Sequence, residues 1–316
     1  MTLLRLAIPS KGRLKEQSEA FFADAGLAIE QIGGARGYAA RMSGVSGVEI
    51  VLLSASEIAA GVISGDLHAG VTGEDLLREA APDMERVAHL LSPLGFGRAR
   101  VVVAAPKSWI DVDTMADLDD VGARHEARFG HALRVATKYT RLTRRFFASS
   151  GVGHYRIVES AGATEGAPAS GAAELIVDIT TTGATLESNG LKILRDGLIL
   201  DSQAQLAASL RASWTDETLG ALRALMDVLN ARAAGKSMAT LRYNPSFNLA
   251  SLAAALPELT PTGPGEALCA RRMVHEAARA IAAAGGDPVR TADADFIYLS
   301  TNARYDSFIA GLKSGA

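Results

Sequence analysis

Residues 174–186 run Glu-Leu-Ile-Val-Asp-Ile-Thr-Thr-Thr-Gly-Ala-Thr-Leu: an apolar stretch, one acid, a hydroxyl-rich turn with a glycine, then helix-compatible sequence. That order suits the holding of a phosphate ester. Leu175, Ile176 and Val177 read as a buried strand, which puts the following turn at a helix start. There, backbone N–H groups without intrahelical partners and the hydroxyls of Thr181, Thr182 and Thr185 can face one anion, with Ala184 between them. Gly183 permits close backbone approach and a positive φ. Asp178, at the strand's carboxyl end, is placed to accept hydrogen bonds from sugar hydroxyls or to reach a phosphate-bound Mg²⁺. An ordinary strand-to-helix turn fits the spacing of this loop as well.

Three further segments carry chemistry-bearing residues. Lys11-Gly12-Arg13 follows the first strand-like run and precedes a helix, where α/β sheets bind ligands; Lys11 offers a point charge and Arg13 a fork for a diphosphate. Thr72-Gly73-Glu74-Asp75 follows a short strand, so its acids serve sugar hydroxyls or cap a helix. Lys138-Tyr139, just past the run Arg134–Thr137, suits phosphate and base contacts, although Tyr139 equally suits packing. The six histidines show no HExxH spacing, no G-x-S-x-G elbow occurs, and Leu94-Gly95-Phe96-Gly97 lacks the third glycine of a dinucleotide fingerprint. Hydrolase and dinucleotide readings are therefore disfavoured.

Elements must position these residues, and the pattern supplies them. Strand-like and helix-like segments alternate: Leu3–Ile8, then helix Leu14–Ala25; Val48–Leu53, then helix Ala55–Ser64; Ala69–Val71; Arg98–Ala104; Arg134–Thr137, then helix Thr140–Ser149; Ile157–Val158, helix Gly166–Ser170 and Leu175–Asp178. Ser108–Asp120 reads as solvent-facing. Thr215–Ala233 has leucines at helical spacing and ends at Ala234-Gly235-Lys236, which reads as a linker. Beyond it, strands Met238–Arg242, Ala267–Val274 and Phe296–Leu299, with helices Leu249–Leu256 and His275–Ala284, form a βαββαβ-like unit of regulatory or assembly type.

Composition narrows the partners. At 316 residues, 48% hydrophobic and 21% charged, the chain has the make-up of a soluble globular protein with room for two or three domains. A formal net charge of −3 offers no global attraction to nucleic acid or an anionic membrane, which favours a small-molecule ligand held by local groups. Arg5 and Lys11 interrupt the apolar N-terminal run, so a leader or membrane span is not expected there and cytoplasmic residence is. The single cysteine, Cys269, excludes an intrachain disulfide and reads as a buried small apolar residue.

Together these segments resemble the ATP phosphoribosyltransferase family, the first enzyme of histidine biosynthesis. The family's long gapped signature is matched by Glu165, Gly171, Ala173, Asp178, Thr182, Gly183, Thr185 and Leu186. Pro9-Ser-Lys11-Gly12-Arg13-Leu14, the Gly70–Asp75 turn and Ala136-Thr-Lys138-Tyr139 match three other family segments, and the similarity covers about residues 3–230. The resemblance implies a two-lobed, periplasmic-binding-protein-like α/β core with a cleft. It divides the chain into lobe I (1–96 and 184–234), lobe II (97–183, carrying the phosphate loop) and a small ACT-like α+β domain (237–316). It implies joining of ATP to phosphoribosyl pyrophosphate with Mg²⁺ present, giving N1-(5-phospho-β-D-ribosyl)-ATP and pyrophosphate. In that scheme Thr181–Thr185 hold the 5′-phosphate and Asp178 the ribose hydroxyls or metal. Lys11 and Arg13 face phosphates, and Gly73, Asp75, Lys138 and Tyr139 bind the nucleotide.

The chain departs from the family pattern in two places. Ser10 replaces a usual lysine, and Ser54-Ala55-Ser56-Glu57-Ile58 lacks an arginine that many relatives carry, for which Arg36 or Arg41 are substitutes. Length and element order match the long form of the family, whose tail binds histidine as inhibitor and forms hexamers. A homo-oligomer, dimer or hexamer, is thus implied, and histidine inhibition with it. Two other classes share this architecture: a two-lobed small-molecule binding protein, and a different phosphoribosyltransferase. The type I loop of the latter carries two adjacent acids, whereas Val177 precedes a single acid here.

Overall fold

The computed structural model describes residues 2–31, 39–160, 162–252 and 255–314. Strand β1 (Leu4–Pro9) leads to helix α1 (Gly12–Asp24), the edge strands β2 (Ile29–Gln31) and β3 (Ala39–Met42), and β4 (Val48–Leu53). There follow α2 (Ala55–Ser64), β5 (Ala69–Gly73), α3 (Glu74–Ala80) and β6 (Ala88–Pro93). The chain then crosses to a second sheet through β7 (Ala99–Pro106), α4 (Met115–Phe129), β8 (Leu133–Thr137), α5 (Thr140–Ser149), β9 (Tyr155–Glu159), β10 (Leu175–Thr180), α6 (Ala184–Ser188) and β11 (Leu191–Ser202). It returns as β12 (Ala204–Ser209) and α7 (Asp216–Ser237).

The first sheet has the order β2-β3-β4-β1-β5-β12-β6 and the second β11-β7-β10-β8-β9. In each, parallel strands meet an antiparallel strand that has just crossed from the other lobe, β12 against β5 and β7 against β10, and β3 adds a further antiparallel strand beside β4 in the first sheet. This is the two-lobed core expected from sequence. The two crossings pair with each other, Leu94 N–H donating to Ala204 O at 3.0 Å and Ala204 N–H to Phe96 O at 3.0 Å. They form a two-stranded connection between the lobes.

Physical reasons for the elements are local. β1 is buried at five of its six positions, the near-continuous apolar run of a strand covered on both faces. Ser54 and Glu57 close a capping box on α2, and Thr114 and Asp117 another on α4. That second box starts a fifteen-residue helix whose first turns lie in Ser108–Asp120, the stretch that composition marks as merely solvent-facing.

Three boundaries differ from the sequence expectation. The return to lobe I falls at Gln203 and not at 184, because β11 pairs with β7 and Leu186 is buried among Val102, Ala104, Ala136 and Ile176 of the second lobe. Ala234-Gly235-Lys236 is no linker: α7 runs on to Ser237 with Gly235 buried, and β13 (Met238–Arg242) begins at the next residue. Nor is 237–316 one domain.

The small sheet comprises β13, β14 (Thr260–Gly263), β15 (Glu266–Ala270) and β16 (Arg290–Ala292) in the order β14-β15-β13-β16, all antiparallel. That is the split βαββαβ arrangement. Its first crossover is a short 3₁₀ turn, Leu249–Leu252, where sequence favours a helix to Leu256; residues 253 and 254 lie outside the described ones. Its second crossover carries α8 (Val274–Ile281), and Arg290–Ala292 replaces Phe296–Leu299 as the last strand. Helix α9 (Ala303–Ser314) then leaves this domain and packs on lobe I, with Phe308 fully buried in the lobe I core.

Candidate functional site

The parallel strands of lobe II end together. Register pairs Ile176 of β10 with Ala136 of β8, so Asp178 and Lys138 emerge at the same edge. A recess of about 400 Å³ opens there, lined by Glu165, Asp178, Thr180, Thr181, Thr182 and Thr185. Residues that are thirteen or more apart in sequence, Glu165 and Asp178 to Thr185, thus meet around one space, as the gapped spacing implies.

The loop is shaped by its own hydroxyls. Gly183 N–H donates to Thr180 Oγ1 at 2.9 Å and Ala184 N–H to Thr182 Oγ1 at 3.3 Å. Gly183 has φ +83°, a left-handed conformation that would strain any side chain. The helix it starts spans only Ala184–Ser188, so its dipole is small, and the polar groups at this end are local N–H and hydroxyl groups. Thr181 and Thr182 are exposed, and so is Thr185. Ala184 contributes backbone only.

Asp178 is half-buried and its Oδ1 accepts the Ile179 N–H at 2.8 Å. Burial raises its carboxyl above the ordinary range, the Ile179 N–H and the Lys138 charge oppose that, and Glu165 adds to it. A ligand that supplies hydroxyl donors or positive charge relieves this cost. Among the described residues no three His, Cys, Asp or Glu side chains gather as a metal cage. Asp178, with Glu165 beside it, fits a Mg²⁺ that arrives already coordinated by a diphosphate.

Sequence reasoning passed over one cation. Arg100 of β7 stands in register opposite Thr180, hence on the same face of the sheet as Thr180 and Asp178, with Asp201 of β11 on its other side. Its signal was the Arg98-Ala-Arg100 start of a strand whose pairing partner only the fold identifies.

The remaining expected residues are dispersed. Lys11 and Arg13 are exposed at the carboxyl end of β1 in lobe I, where Ser54 hydrogen bonds, and after them the Lys11 charge, hold the Glu57 carboxyl below its ordinary range; neither lines the recess around Asp178. Arg41 is exposed on β3, and Arg36 lies outside the described residues.

Asp75 and Tyr139 do not face a cleft but each other. Tyr139 Oη donates to Asp75 Oδ2 at 2.8 Å and Ser202 Oγ to Asp75 Oδ1 at 2.8 Å, with Asp75 6% and Tyr139 1% exposed. Burial, then the Asp75 charge, pushes the Tyr139 hydroxyl far up, so it stays a donor. Gly73 is required for packing: a Cβ there would collide with Asp75 Oδ1. Lys138 alone of this group is exposed, its ammonium 5.1 Å from the Tyr139 ring centre.

Fold and site together define a two-lobed α/β protein with a hydroxyl-lined recess at the carboxyl edge of its second sheet. Comparison with known sequences is specific. The family model for ATP phosphoribosyltransferase matches residues 54–231. The chain is 56% identical over 316 residues to an ATP phosphoribosyltransferase of Caulobacter vibrioides strain NA1000 / CB15N, covering 99% of each. It is 49% identical over 318 residues to one of Rhodopseudomonas palustris strain HaA2, covering 98% of each. Among solved structures, a chain of the ATP phosphoribosyl transferase (HisG:HisZ) complex from Thermotoga maritima aligns with TM-score 0.53 and 26% identity, covering 72% of this chain and 98% of that one. The chain belongs to the ATP phosphoribosyltransferase family, and so to the pentosyltransferases. The alternative of a two-lobed binding protein without transferase kinship falls away.

Proposed function

We propose that the protein condenses ATP with phosphoribosyl pyrophosphate to N1-(5-phospho-β-D-ribosyl)-ATP and pyrophosphate, the entry step of histidine biosynthesis. The observation that carries this is the assembly of Glu165, Asp178 and Thr180–Thr185 around one recess, in a chain with full-length family similarity. Adenine N1 forms the new bond to the anomeric carbon, and the bond to the departing pyrophosphate oxygen breaks with its electron pair. Little covalent work falls to the protein; it aligns the two reactants and balances charge.

The Thr181–Thr185 loop holds the 5′-phosphate by hydroxyls and free N–H groups. Asp178 accepts the ribose hydroxyls and its carboxylate offsets positive charge developing on the sugar. Mg²⁺, when bound, neutralises diphosphate charge, and Asp178 is the protein group that meets it. Lys138 and Arg100 supply cations on lobe II, Lys11 and Arg13 on lobe I, so all four act on one substrate only when the lobes approach. Gly73, Asp75 and Tyr139 shape the nucleotide side of the cleft through the bond between the lobes.

The small sheet domain serves assembly or histidine inhibition of a homo-oligomer, in keeping with its split βαββαβ order. No described helix is long and apolar enough to cross a membrane, and we place the enzyme in the cytoplasm. The test mixes protein, ATP, phosphoribosyl pyrophosphate and Mg²⁺ with a pyrophosphatase and follows product absorbance in the ultraviolet. An ATP- and Mg²⁺-dependent rise is expected; its absence overturns the reading. Added histidine tests the tail.

A further inference from the structure

A second, roomier cavity of about 860 Å³ lies on lobe I, away from the threonine loop. Its walls come from four places: Ile63 of α2, the Ala80–Asp83 turn after α3, the Glu85–His89 stretch entering β6, and the Leu210-Arg211 turn after β12. Gly311 and Ser314 of α9 close it. One of its walls is therefore supplied by chain that returns to lobe I after building the small domain.

Charge within it is uneven. Glu85 is held by Arg78 at 2.8 Å, whereas Arg86 and Arg211, both exposed, make no side-chain hydrogen bond or ion pair among the described residues. His89 is half-buried, burial lowers its pKa, and its ring packs 6.0 Å from that of Phe308. It stays neutral near pH 7 and offers one N–H donor. Asp83, the remaining acid, is exposed at the rim. Ile63, Ala81 and Leu210 give an apolar wall. Two uncommitted guanidinium forks, a neutral donor and an apolar wall suit a small organic anion bearing phosphate or carboxylate.

The same turn ties the lobes together. Arg141 of α5 donates to the carbonyl of Ala80, and Arg145 to that of Pro82 at 3.1 Å. Glu79, one residue before the turn, accepts the N–H groups of Arg141 and Leu142, each at 2.9 Å, and so caps α5 in the other lobe. We propose that this cavity is a regulatory site for a small organic anion, held by Arg86 and Arg211, whose occupancy stiffens the Ala80–Asp83 turn and with it the seating of lobe II on lobe I.

The probes are inorganic phosphate and citrate, titrated calorimetrically into the full-length protein and into R86A/R211A, with hydrogen exchange followed in parallel. At least one anion should bind the unaltered protein, with affinity falling about tenfold or more in R86A/R211A, since each fork loses a charge-assisted bond. Preference for phosphate or citrate then tells a phosphate ester from a polycarboxylate. Exchange at residues 141–143 should slow on binding, while the basal rate of R86A/R211A without anion stays that of the unaltered protein. Equal affinity in the two proteins, or no binding of either anion, overturns the site; binding with unchanged exchange at 141–143 overturns its regulatory role. Anion affinity and hydrogen exchange are both read without the transferase reaction.

Discussion

Tyr139 of the second lobe donates a 2.8 Å hydrogen bond to Asp75 of the first, and Ser202 on the returning strand completes the carboxylate from the other oxygen. Two residues that the family resemblance assigns to nucleotide binding thus join the lobes.

Replacing Tyr139 with Phe leaves Asp75 Oδ2 buried without its partner. The expected loss is about 1–3 kcal/mol of stability in urea titration, the usual cost of an unsatisfied buried acceptor. If Tyr139 instead acted only by touching nucleotide, Y139F would keep its stability and change KM for ATP alone.

Asp178→Asn should abolish most turnover yet raise Tm at neutral pH. Burial raises the Asp178 carboxyl in the folded state, so ionising it opposes folding above that raised value, and the cost disappears as the group protonates on acidification. The Tm gap between D178N and the parent should therefore be largest near pH 7 and shrink as pH falls toward the ordinary aspartate range. A gap that grows on acidification contradicts the assignment.

Asp24 has the opposite sign. Hydrogen bonds from Arg232 and Lys236 hold it down to about 2, against 3.8 in the unfolded chain, and so join α1 to the end of α7. Its stabilisation is present above the unfolded value and is lost as pH falls from there through about 2. After discounting for its solvent exposure, Asp24→Asn should cost about 1 kcal/mol at neutral pH, and the loss should fade in acid melts below pH ~4.

Arg100→Ala removes the cation opposite Thr180. KM for phosphoribosyl pyrophosphate should rise roughly tenfold or more with Tm little changed, as expected for one charge-assisted hydrogen bond to substrate. An unaltered KM would show that Arg100 does not reach the diphosphate or 5′-phosphate.

Phe308→Ala should cost about 3–5 kcal/mol, the usual penalty for emptying a buried aromatic site. Phe308 is fully buried against Trp214, with ring centres 5.1 Å apart. Chemical denaturation followed by tryptophan fluorescence measures it.

Elements with a strong local signal were legible. Val48–Leu53, Ala55–Ser64 and Thr140–Ser149 occur within the bounds that sequence gives them, because apolar periodicity, a capping box or a hydroxyl start marks each. Ala204–Ser209 was not legible: Ala-Gln-Leu-Ala-Ala-Ser has no strand propensity, and it becomes a fully buried strand only because β5 and β6 flank it. Met115–Phe129 was missed since its buried stripe is just Met115, Leu118 and Gly122 along a polar helix.

The sequence by itself determined the family and marked the threonine-rich loop with its preceding acid, because those depend on residue types at fixed spacing along a short stretch or a long gapped motif. The tertiary structure alone decided the rest: that Asp75 and Tyr139 satisfy each other, that Arg100 stands beside Thr180, and that α9 leaves the small domain to seal lobe I. Each of these is a pairing of groups distant in the chain, fixed by burial and register and invisible to local pattern.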